Sequence, residues 1–332
     1  MGLRKDKRIS GYPDIRINQF GRIGVLMGGP SSEREISLKS GHAVYEALKQ
    51  FGLEAVAIDI KTDSAQEITD LIKDSKIDCA FLALHGKFGE DGQIQEILET
   101  LQMPYTGSGI NASKLAMDKI ASRSIFKDYG LIVPRSTVVD KSTYNKSWQF
   151  DNILRWPLVI KPAASGSSIG LSIIDAEAKL SEALDLAFEF DDFVIIEEYI
   201  GGRELTVGIL DEVALPITEI IPKRSFFDYV AKYQPGMTEY IVPAEVEEDV
   251  AEKVKLAALE AHKLLGCFGC SRVDLILNDQ NLPVILEVNT IPGLTSTSLL
   301  PKAAAALGIE FGELCLKLIK SAYEKIPVKS TG

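Results

Sequence analysis

The sequence predicts an α/β fold, with an N-terminal open parallel-sheet domain followed by two α+β subdomains. Three observations support this prediction. Strand patterns alternate with helix patterns between residues 21 and 110, which is typical of βαβ units and a parallel sheet. A Gly-rich turn ends this region near residue 110, and a Gly201-Gly202 pair interrupts the chain again. Late in the chain a short polar turn joins two strand patterns, which predicts antiparallel pairing.

These boundaries divide the 332 residues into four expected segments. The segments are a disordered or extended lead-in (1–20), an N-terminal α/β substrate domain (21–110), a central subdomain (111–201) and a C-terminal subdomain (202–326). The lead-in is basic and polar without an apolar stretch, so we expect no secretory signal there. A weakly periodic segment at 222–241 is long enough to predict a functional loop such as a lid.

Composition and charge argue against two classes of partner. The formal net charge is −11 and the sequence pI is near 5.0, whereas nucleic acid or an anionic membrane requires a positive protein surface. No stretch of about 18 apolar residues occurs, so we expect no span across a bilayer. The 4 cysteines are too few for a disulfide framework, which predicts reduced thiols and a cytoplasmic location.

The first strand, at residues 22–27, ends in the turn Gly28-Gly29-Pro30. This turn matches neither GxxxxGK[ST] nor GxGxxG, which argues against a P-loop NTPase and a nicotinamide oxidoreductase. The next residues fit a capping box, with Ser32 as N-cap and Glu35 reaching back. That interpretation leaves Glu33 unexplained at the helix mouth. A carboxylate there either holds a substrate ammonium or only complements the helix dipole.

One more candidate residue lies at the ligand edge of this sheet, and another lies on the helix that follows. His85 directly follows the strand at 78–84, at the ligand edge of an open α/β sheet, although a structural role fits its position as well. Lys119 lies on an amphipathic helix predicted over 111–129. Gly130 is the expected C-cap that ends this helix.

The central subdomain carries features that suit a nucleotide. Lys161 ends a buried strand, and the small-residue loop 163–170 that follows can fold backbone N–H groups around phosphates. Glu197 and Glu204 flank the Gly201-Gly202 break, where acids can accept hydrogen bonds from an adenine amino group and ribose hydroxyls. Ordinary hairpin loops and strand-edge charges have the same composition, so this interpretation remains open.

The late hairpin is the most informative part of the sequence. Glu287 and Asn289 lie two positions apart on one strand, and Arg272 and Asp274 do so on the strand before it, so all four share a face. Three hard oxygen ligands without His or Cys describe a magnesium site rather than a zinc site. A solvated hairpin face with ordinary polar alternation is the alternative.

Eight motifs in a fixed order connect these features: GGPSSEREISL, ALHGKFGEDG, YTGSG, MDK, VIKPAASGSSIG, FFDYVAKY, SRVDLIL and LEVNTIPGLTSTSLLP. On these motifs the chain resembles the ATP-grasp superfamily, and within it the D-alanine–D-alanine ligase family, from residue 22 to about residue 325. The resemblance implies an ATP-grasp fold for the two later subdomains. It also implies ATP-dependent ligation of two D-alanine molecules through an acyl phosphate, for peptidoglycan precursor synthesis in the cytoplasm.

The resemblance further implies roles for individual residues. Two Mg²⁺ ions, with Mn²⁺ as an alternative, would be held by Asp274, Glu287 and Asn289, with Glu287 bridging them. The residues implied in ATP binding are Lys119, Lys161, Ser168, Glu197, Glu198, Ile200, Glu204 and Lys232. Glu33 and His85 would lie at the first D-alanine, and Ser298 and Leu299 at the second. The oxyanion hole would consist of Arg272 and the Gly293 N–H.

The same resemblance implies that Ser167 and Tyr233 link the lid to Glu33 by hydrogen bonds, and that the enzyme is a homodimer. Two alternatives remain at this point. The first is an ATP-grasp ligase for another acceptor, such as D-lactate or D-serine. The second is a nucleotide-binding regulatory module without ligase activity, although such a module would have no need for an oxyanion donor such as Arg272.

Overall fold

The computed structural model describes residues 8–9, 12–16, 20–144, 150, 154–164, 166, 169–223 and 236–325, with the backbone alone at 8–9 and 12–16. Four residues with predicted roles lie outside the described part of the chain: Ser167, Ser168, Lys232 and Tyr233. Most of the predicted lid at 222–241 lies outside it as well. None of the described helices is long and apolar enough to cross a membrane.

The N-terminal region forms the predicted parallel sheet, in the strand order β4-β3-β5. A separate antiparallel pair, β1 and β2, precedes it within the range of the predicted lead-in. The elements are β1 (Arg8–Ile9), β2 (Tyr12–Arg16), β3 (Arg22–Gly28), α1 (Arg34–Gln50), β4 (Glu54–Ile60), α2 (Ala65–Ser75), β5 (Cys79–Leu82) and α3 (Gln93–Thr100). Parallel pairing puts the C-terminal ends of β3 and β5 at one edge, where the Gly28-Gly29-Pro30 turn and His85 follow.

The single helix predicted over 111–129 is wrong, because the structure has two helices there. They are α4 (Ile110–Met117) and α5 (Lys119–Asp128), separated by Asp118 in an extended conformation (φ −82°, ψ 99°). The Asp118 carboxylate accepts hydrogen bonds from the Ile120 and Ala121 N–H groups at 2.9 and 3.0 Å. Aspartate favours this N-cap role over a helix interior, so Lys119 becomes the first residue of a new helix.

The central region is an antiparallel sheet of order β6-β9-β7-β8. Its elements are β6 (Ser136–Asp140), β7 (Leu158–Pro162), β8 (Ser172–Ile174), α6 (Leu180–Ala187) and β9 (Phe193–Glu198). Buried apolar side chains of α6, among them Leu180 and Leu184, form a core with Leu158 and Ile160 of β7. That packing fixes β7 and β9 side by side, with Lys161 and Glu197 on these neighbouring strands.

The C-terminal region is a larger antiparallel sheet of order β13-β12-β10-β14-β15, with β11 paired to β10. Its elements are β10 (Arg203–Leu210), β11 (Val213–Ala214), β12 (Thr218–Pro222), β13 (Thr238–Ile241), α7 (Glu248–Leu264), β14 (Cys270–Leu277), β15 (Pro283–Asn289), α8 (Leu299–Ala305) and α9 (Phe311–Glu324). Helix α7 covers one face of this sheet with Val254, Ala258 and Ala261, all fully buried against Val273 and Leu275. The opposite face carries the polar residues of the hairpin.

The last two helices return to the N-terminal sheet. Leu300 of α8 and Leu314 and Leu318 of α9 share one buried core with Val25 and Phe81 of the parallel sheet. The Tyr323 hydroxyl donates to the Phe20 carbonyl at 2.6 Å, which closes the same contact at its edge. The C-terminal segment therefore connects the larger antiparallel sheet to the N-terminal domain, on either side of the candidate site.

Candidate active site

The β14–β15 hairpin has the predicted antiparallel pairing. Asp274 lies opposite Glu287, and Arg272 lies opposite Asn289, so the four side chains share one face as expected. Val273 and Val288, which alternate with them, are buried in the core on the other face. The pairing of the two strands thus fixes which residues face each side, and the charged side of the hairpin lines the cavities described below.

Each acid of the hairpin is paired with a cation. The Arg272 guanidinium donates to both oxygens of Asp274 at 2.8 Å, and Asp274 also accepts from the Thr206 hydroxyl at 2.6 Å. Glu287 lies 3.2 Å from the ammonium of Lys119, the first residue of α5. The break at Asp118 therefore brings a lysine to the hairpin, and opposite charges are held close together here.

The donor set on this face fits a hard divalent cation. Within the described residues no three His, Cys, Asp or Glu side chains cluster as a metal site, so any third protein ligand here has to be of another type. Asn289 supplies an amide oxygen beside the two acids, and that oxygen already accepts from the Ile291 N–H at 2.9 Å. Two carboxylates and one amide oxygen suit Mg²⁺ or Mn²⁺, which prefer oxygen ligands.

A buried charge network lies beside the hairpin. Glu197 accepts from the Lys161 ammonium at 2.8 Å through one oxygen and from the Arg123 guanidinium through the other. Arg123 also donates to the Leu286 carbonyl at 3.2 Å, next to Glu287. Arg123 thereby connects α5, β9 and β15. Arg123 was not predicted from the sequence, although its position one turn after Lys119 puts both residues on one helix face.

Burial and charge set the protonation of this network. Burial, helped by the neighbouring Arg123 cation, lowers the pKa of Lys161 to about 8, although Glu197 opposes the change. Burial opposes ionisation of Glu197, but the attraction of Lys161 and Arg123 is stronger in sum and lowers its pKa. Glu197 is therefore a carboxylate at neutral pH, and its predicted contact with adenine would have to be shared with these two cations.

A cavity lies between the two antiparallel sheets. The residues predicted to contact ATP that line it are Lys119, Lys161, Glu197, Glu198, Ile200 and Glu204, and the hairpin acids Asp274 and Glu287 line it too. Apolar side chains face each other across it, with Leu171 and Ile173 on one side and Ile276 and Leu286 on the other. Apolar walls with a few convergent charges are typical of a small-molecule site.

Glu198 is anchored at the end of this cavity. Its carboxylate accepts from the Arg155 N–H at 2.7 Å and pairs with Arg135 through both oxygens. Burial opposes ionisation, but the hydrogen bond from Arg135 and the Arg155 N–H lower the pKa of Glu198 overall. The contacts therefore fix Glu198 in place, and its role toward ATP stays a prediction.

A second cavity adjoins the first, since Lys119 and Glu287 line both. It brings together the residues predicted at the amino-acid subsites and the oxyanion hole: Glu33, His85, Arg272, Gly293, Ser298 and Leu299. These residues are as much as 266 positions apart in the sequence, between Glu33 and Leu299. Ser40, Glu90 and Tyr240 also line the cavity, and none of the three was predicted from the sequence.

The predicted capping box before α1 is wrong. The helix begins at Arg34, its N-cap is Glu33, and no side chain makes a cap hydrogen bond. Ser31, rather than Ser32, accepts from the Glu33 N–H at 3.2 Å. A Cβ at Gly86 (φ +73°) would lie 2.5 Å from Glu33 Oε2, so only glycine allows the carboxylate this position. Glu33 thus occupies the N-cap position without a side-chain cap bond, and it lines the second cavity.

His85 fits both interpretations left open by the sequence. Its Nε2 lies 2.9 Å from the Ser40 hydroxyl and its Nδ1 lies 3.1 Å from the Ile291 carbonyl, so it joins distant segments. It also lines the second cavity with Glu33. Glu90 lies 3.5 Å from Nδ1, and burial, opposed in part by the His85 contact, raises the pKa of Glu90.

The turn after β15 forms the far wall of the second cavity. A Cβ at Gly293 would lie only 3.0 Å from the Ser298 hydroxyl oxygen, so glycine lets backbone and side chain approach closely. The Ser298 hydroxyl lies 2.8 Å from that of Thr295, and Ser298 itself precedes α8 as its N-cap residue. The Gly293 backbone, the Ser298 hydroxyl and the start of a helix therefore converge on one place.

Comparison with known proteins agrees with this arrangement. The family model for the D-ala D-ala ligase C-terminus matches residues 125–320, and that for the D-ala D-ala ligase N-terminus matches residues 22–71 and 61–108. The chain belongs to the D-alanine–D-alanine ligase family. This result confirms the resemblance inferred from the eight motifs. Solved structures of ligases from this family, described next, confirm the ATP-grasp fold that was predicted for the two later subdomains.

Relatives of known sequence and structure cover nearly the whole chain. A D-alanine–D-alanine ligase of Pelotomaculum thermopropionicum is 45% identical over 317 residues, covering 93% of this chain and 98% of the relative. A ligase of Syntrophotalea carbinolica is 44% identical over 301 residues, covering 91% and 96%. The crystal structure of the Bacillus anthracis ligase complexed with ATP has a TM-score of 0.80 at 36% identity, covering 92% and 98%.

Proposed function

We infer that this chain is an ATP-dependent D-alanine–D-alanine ligase, which joins two D-alanine molecules into D-alanyl-D-alanine and releases ADP and phosphate. Family membership supports this activity, and one structural observation carries it. A cavity lined by Lys119 and Lys161 adjoins, at Glu287, a second cavity lined by Glu33 and Arg272. Such a connection lets the γ-phosphoryl group of ATP reach a carboxylate held in the second cavity.

The chemistry explains why two connected cavities are needed. A free carboxylate does not expel oxide when an amine attacks it, so it must first be activated. A carboxylate oxygen of the first D-alanine attacks the γ-phosphorus of ATP, ADP leaves, and an acyl phosphate forms. The amine of the second D-alanine, deprotonated, then attacks the acyl carbon, and phosphate leaves. Positioning and charge neutralisation dominate such phosphoryl transfer.

The first cavity suits ATP in one orientation. The purine would lie between the apolar walls, near the backbone of Ile200, with the ribose at Glu204. The phosphates would extend toward Lys161 and Lys119, which lie near the hairpin. Lys232 is proposed as a further phosphate contact and Ser168 as a further ATP-binding residue, as the family resemblance implies.

The metal ligands are proposed to be Asp274, Glu287 and Asn289, holding two Mg²⁺ ions or, as an alternative, Mn²⁺. When bound, the metal would neutralise charge on the phosphates. The protein's own part is to bring these oxygens together on one hairpin face and to keep Lys119 close to them. Arg272 and Thr206 restrain Asp274 from two directions, which limits how far its carboxylate can rotate.

The second cavity is proposed to hold both amino acids. Glu33 would pair with the ammonium of the first D-alanine, with His85 beside it. Arg272 and the Gly293 N–H would stabilise the oxyanion of the tetrahedral intermediate, and Ser298 and Leu299 would bind the second D-alanine, Ser298 through its carboxylate. Ser167 and Tyr233 are proposed to link the lid to Glu33. A closed lid would protect the acyl phosphate from water.

The choice of acceptor amino acid or hydroxy acid tests this function. The chain is incubated with ATP, Mg²⁺ and D-alanine, and then with D-alanine plus D-lactate or D-serine, over a range of pH. We expect D-alanyl-D-alanine as the main product at neutral pH, with ADP formed in equal amount. Preferential formation of an ester with D-lactate or of a D-serine dipeptide would assign the alternative acceptor. ATP turnover that does not depend on D-alanine would refute the ligase assignment.

We further propose that the enzyme works as a homodimer in the cytoplasm and supplies peptidoglycan synthesis. Family resemblance supports the dimer, and the composition of the sequence supports the location. Size-exclusion chromatography with light scattering tests the dimer directly. A mass near 36.3 kDa at micromolar concentration would assign a monomer instead.

A further inference from the structure

Two buried side chains of the N-terminal domain hold the backbone on either side of Gly293. The Leu294 N–H donates to the Ser40 hydroxyl oxygen at 3.3 Å, and the Ile291 carbonyl lies 3.1 Å from Nδ1 of His85. Ser40 and His85 contact each other, since the hydroxyl oxygen lies 2.9 Å from Nε2. A continuous path of hydrogen bonds therefore runs from Leu294 through Ser40 and His85 back to Ile291.

The proton positions in this path follow from the partners. The Ile291 carbonyl can only accept, so Nδ1 of His85 carries the proton that faces it. The Ser40 oxygen accepts from the Leu294 N–H, and its own O–H is then directed to Nε2 of His85. Every donor in this path then meets an acceptor. Ser40 and His85 are 1% and 5% exposed, so water competes little for these bonds.

His85 is itself held from two sides. The Ser31 hydroxyl donates to the His85 carbonyl at 2.6 Å, and Glu90 accepts from the Gly86 N–H at 3.1 Å. Ser40 lies on α1, whose packing against β3 is part of the N-terminal core. The two side chains that contact the Gly293 turn are thus fixed to the rigid sheet of another domain.

We propose that Ser40, acting with His85, is a positioning residue that fixes the Gly293 N–H for oxyanion stabilisation from across the domain boundary. The proposal rests on the role proposed above for Gly293 in the ligase reaction. A backbone donor helps only if it is held in place before charge develops. Gly293 lies in a turn outside regular structure, so its direction depends on the bonds to its neighbours Ile291 and Leu294.

The test compares Ser40→Ala with Ser37→Ala, a matched control on the same helix. Ser37 is also buried and also bonds two backbone groups, since its hydroxyl accepts from the Gly28 N–H at 2.8 Å and donates to the Ala83 carbonyl at 2.7 Å. Those bonds stay within the N-terminal domain. Both variants should therefore lose similar thermal stability, and only Ser40→Ala should disturb the turn.

We expect Ser40→Ala to lower kcat about 10-fold and to change KM for ATP less than about twofold. Loss of a whole oxyanion donor costs about 100- to 1,000-fold in kcat, and here the donor stays present but is held less firmly. Ser37→Ala should keep kcat within about twofold of the wild type. Equal losses of kcat in both variants, or an unchanged kcat in Ser40→Ala, would overturn the proposal. Should Ser40→Ala fail to fold, Ser40→Cys, which keeps the volume and a weaker hydrogen bond, should give an intermediate kcat.

Hydrogen–deuterium exchange gives a readout that does not need turnover. Exchange of the backbone amides in a peptide spanning residues 290–298 should become at least about 10-fold faster in Ser40→Ala and stay unchanged in Ser37→Ala. Unchanged exchange in Ser40→Ala would refute the positioning contact even if the enzyme is active. An inactive wild type with the expected exchange pattern would instead refute the proposed function and leave the contact established.

Discussion

At the scale of single residues, the site is controlled by a few buried charges that share partners. Lys161 and Arg123 hold the two oxygens of Glu197, and Lys119 lies 3.2 Å from Glu287. Removing one member of such a network leaves the others buried without compensation, which costs more than an exposed ion pair contributes. Lys161, whose pKa is lowered to about 8, therefore changes charge close to neutral pH.

Nucleotide affinity should depend on pH through Lys161. Below a pH of about 8 this lysine is charged and attracts phosphate, and above it the charge is lost. We expect the affinity for ADP with Mg²⁺, measured by calorimetry, to weaken about 10-fold as the pH rises from 7 to 9. Arg123→Gln removes a cation that lowers this pKa, so the same weakening should occur at higher pH.

Arg135→Gln is the control for that measurement. Arg135 is exposed and pairs with Glu198 rather than with the Lys161 network, so its loss should leave the pH of the transition near 8. A transition that stays in place in Arg123→Gln, or moves to lower pH, would contradict the assignment of the transition to Lys161.

At the scale of secondary structure, two elements carry the site. The hairpin β14–β15 sets Asp274 opposite Glu287, and the break before α5 puts Lys119 next to it. The hairpin was predictable because strand alternation assigns every second residue to one face. The helix break was not predictable from the sequence, because the apolar periodicity continues on both sides of Asp118. Only the hydrogen bonds of the Asp118 carboxylate show that it is an N-cap.

Glu287→Gln should abolish ligation and keep the fold. The change removes one negative charge at a proposed metal ligand, and loss of metal assistance costs several kcal/mol, or about 100-fold or more in turnover. Asp279→Asn makes the same carboxylate-to-amide change in the exposed turn of the same hairpin and should keep normal turnover. A Glu287→Gln enzyme with a near-normal rate would rule out the proposed metal site.

Asp118→Ala tests the helix break. Loss of this N-cap should cost about 1 kcal/mol of unfolding free energy, measured by urea denaturation. Displacement of Lys119 should also weaken ADP binding at least about threefold. Ser64→Ala removes the N-cap of α2, in which the Ser64 hydroxyl oxygen lies 3.4 Å from the Glu67 N–H. Helix α2 lines neither of the two cavities, so this change should affect stability alone. Equal ADP affinities in the two variants would argue against the role of the break.

At the scale of the whole molecule, the site is formed where residues of three sheets and their connecting segments come together. The motifs were sufficient to infer the family and the ligand-facing edge of the parallel sheet. The contacts among Ser40, His85 and Leu294 were not predictable, since a serine within an amphipathic helix has no local signal and its partner is 254 positions away. Arg123 was missed for the same reason, because its carboxylate partner Glu197 lies 74 positions away.

The packing of α8 and α9 against the N-terminal sheet explains how the parts of the site are held together. Leu318 and Phe81 share one core, so the hairpin, which lies between these segments in the chain, is connected to the N-terminal domain through a packed interface. Closely packed protein interiors deform little, which keeps the two cavities in a fixed position relative to each other. A carboxylate near Glu33 can then meet a phosphate near Lys161.

Transfer of oxygen from D-alanine to phosphate is the most direct test of the whole account. D-Alanine labelled with ¹⁸O in its carboxylate is ligated with unlabelled ATP, and the released phosphate is analysed by mass spectrometry. The acyl-phosphate route predicts one ¹⁸O atom in each phosphate for each dipeptide formed, because the attacking carboxylate oxygen leaves with phosphorus. Dipeptide formed together with unlabelled phosphate would contradict it.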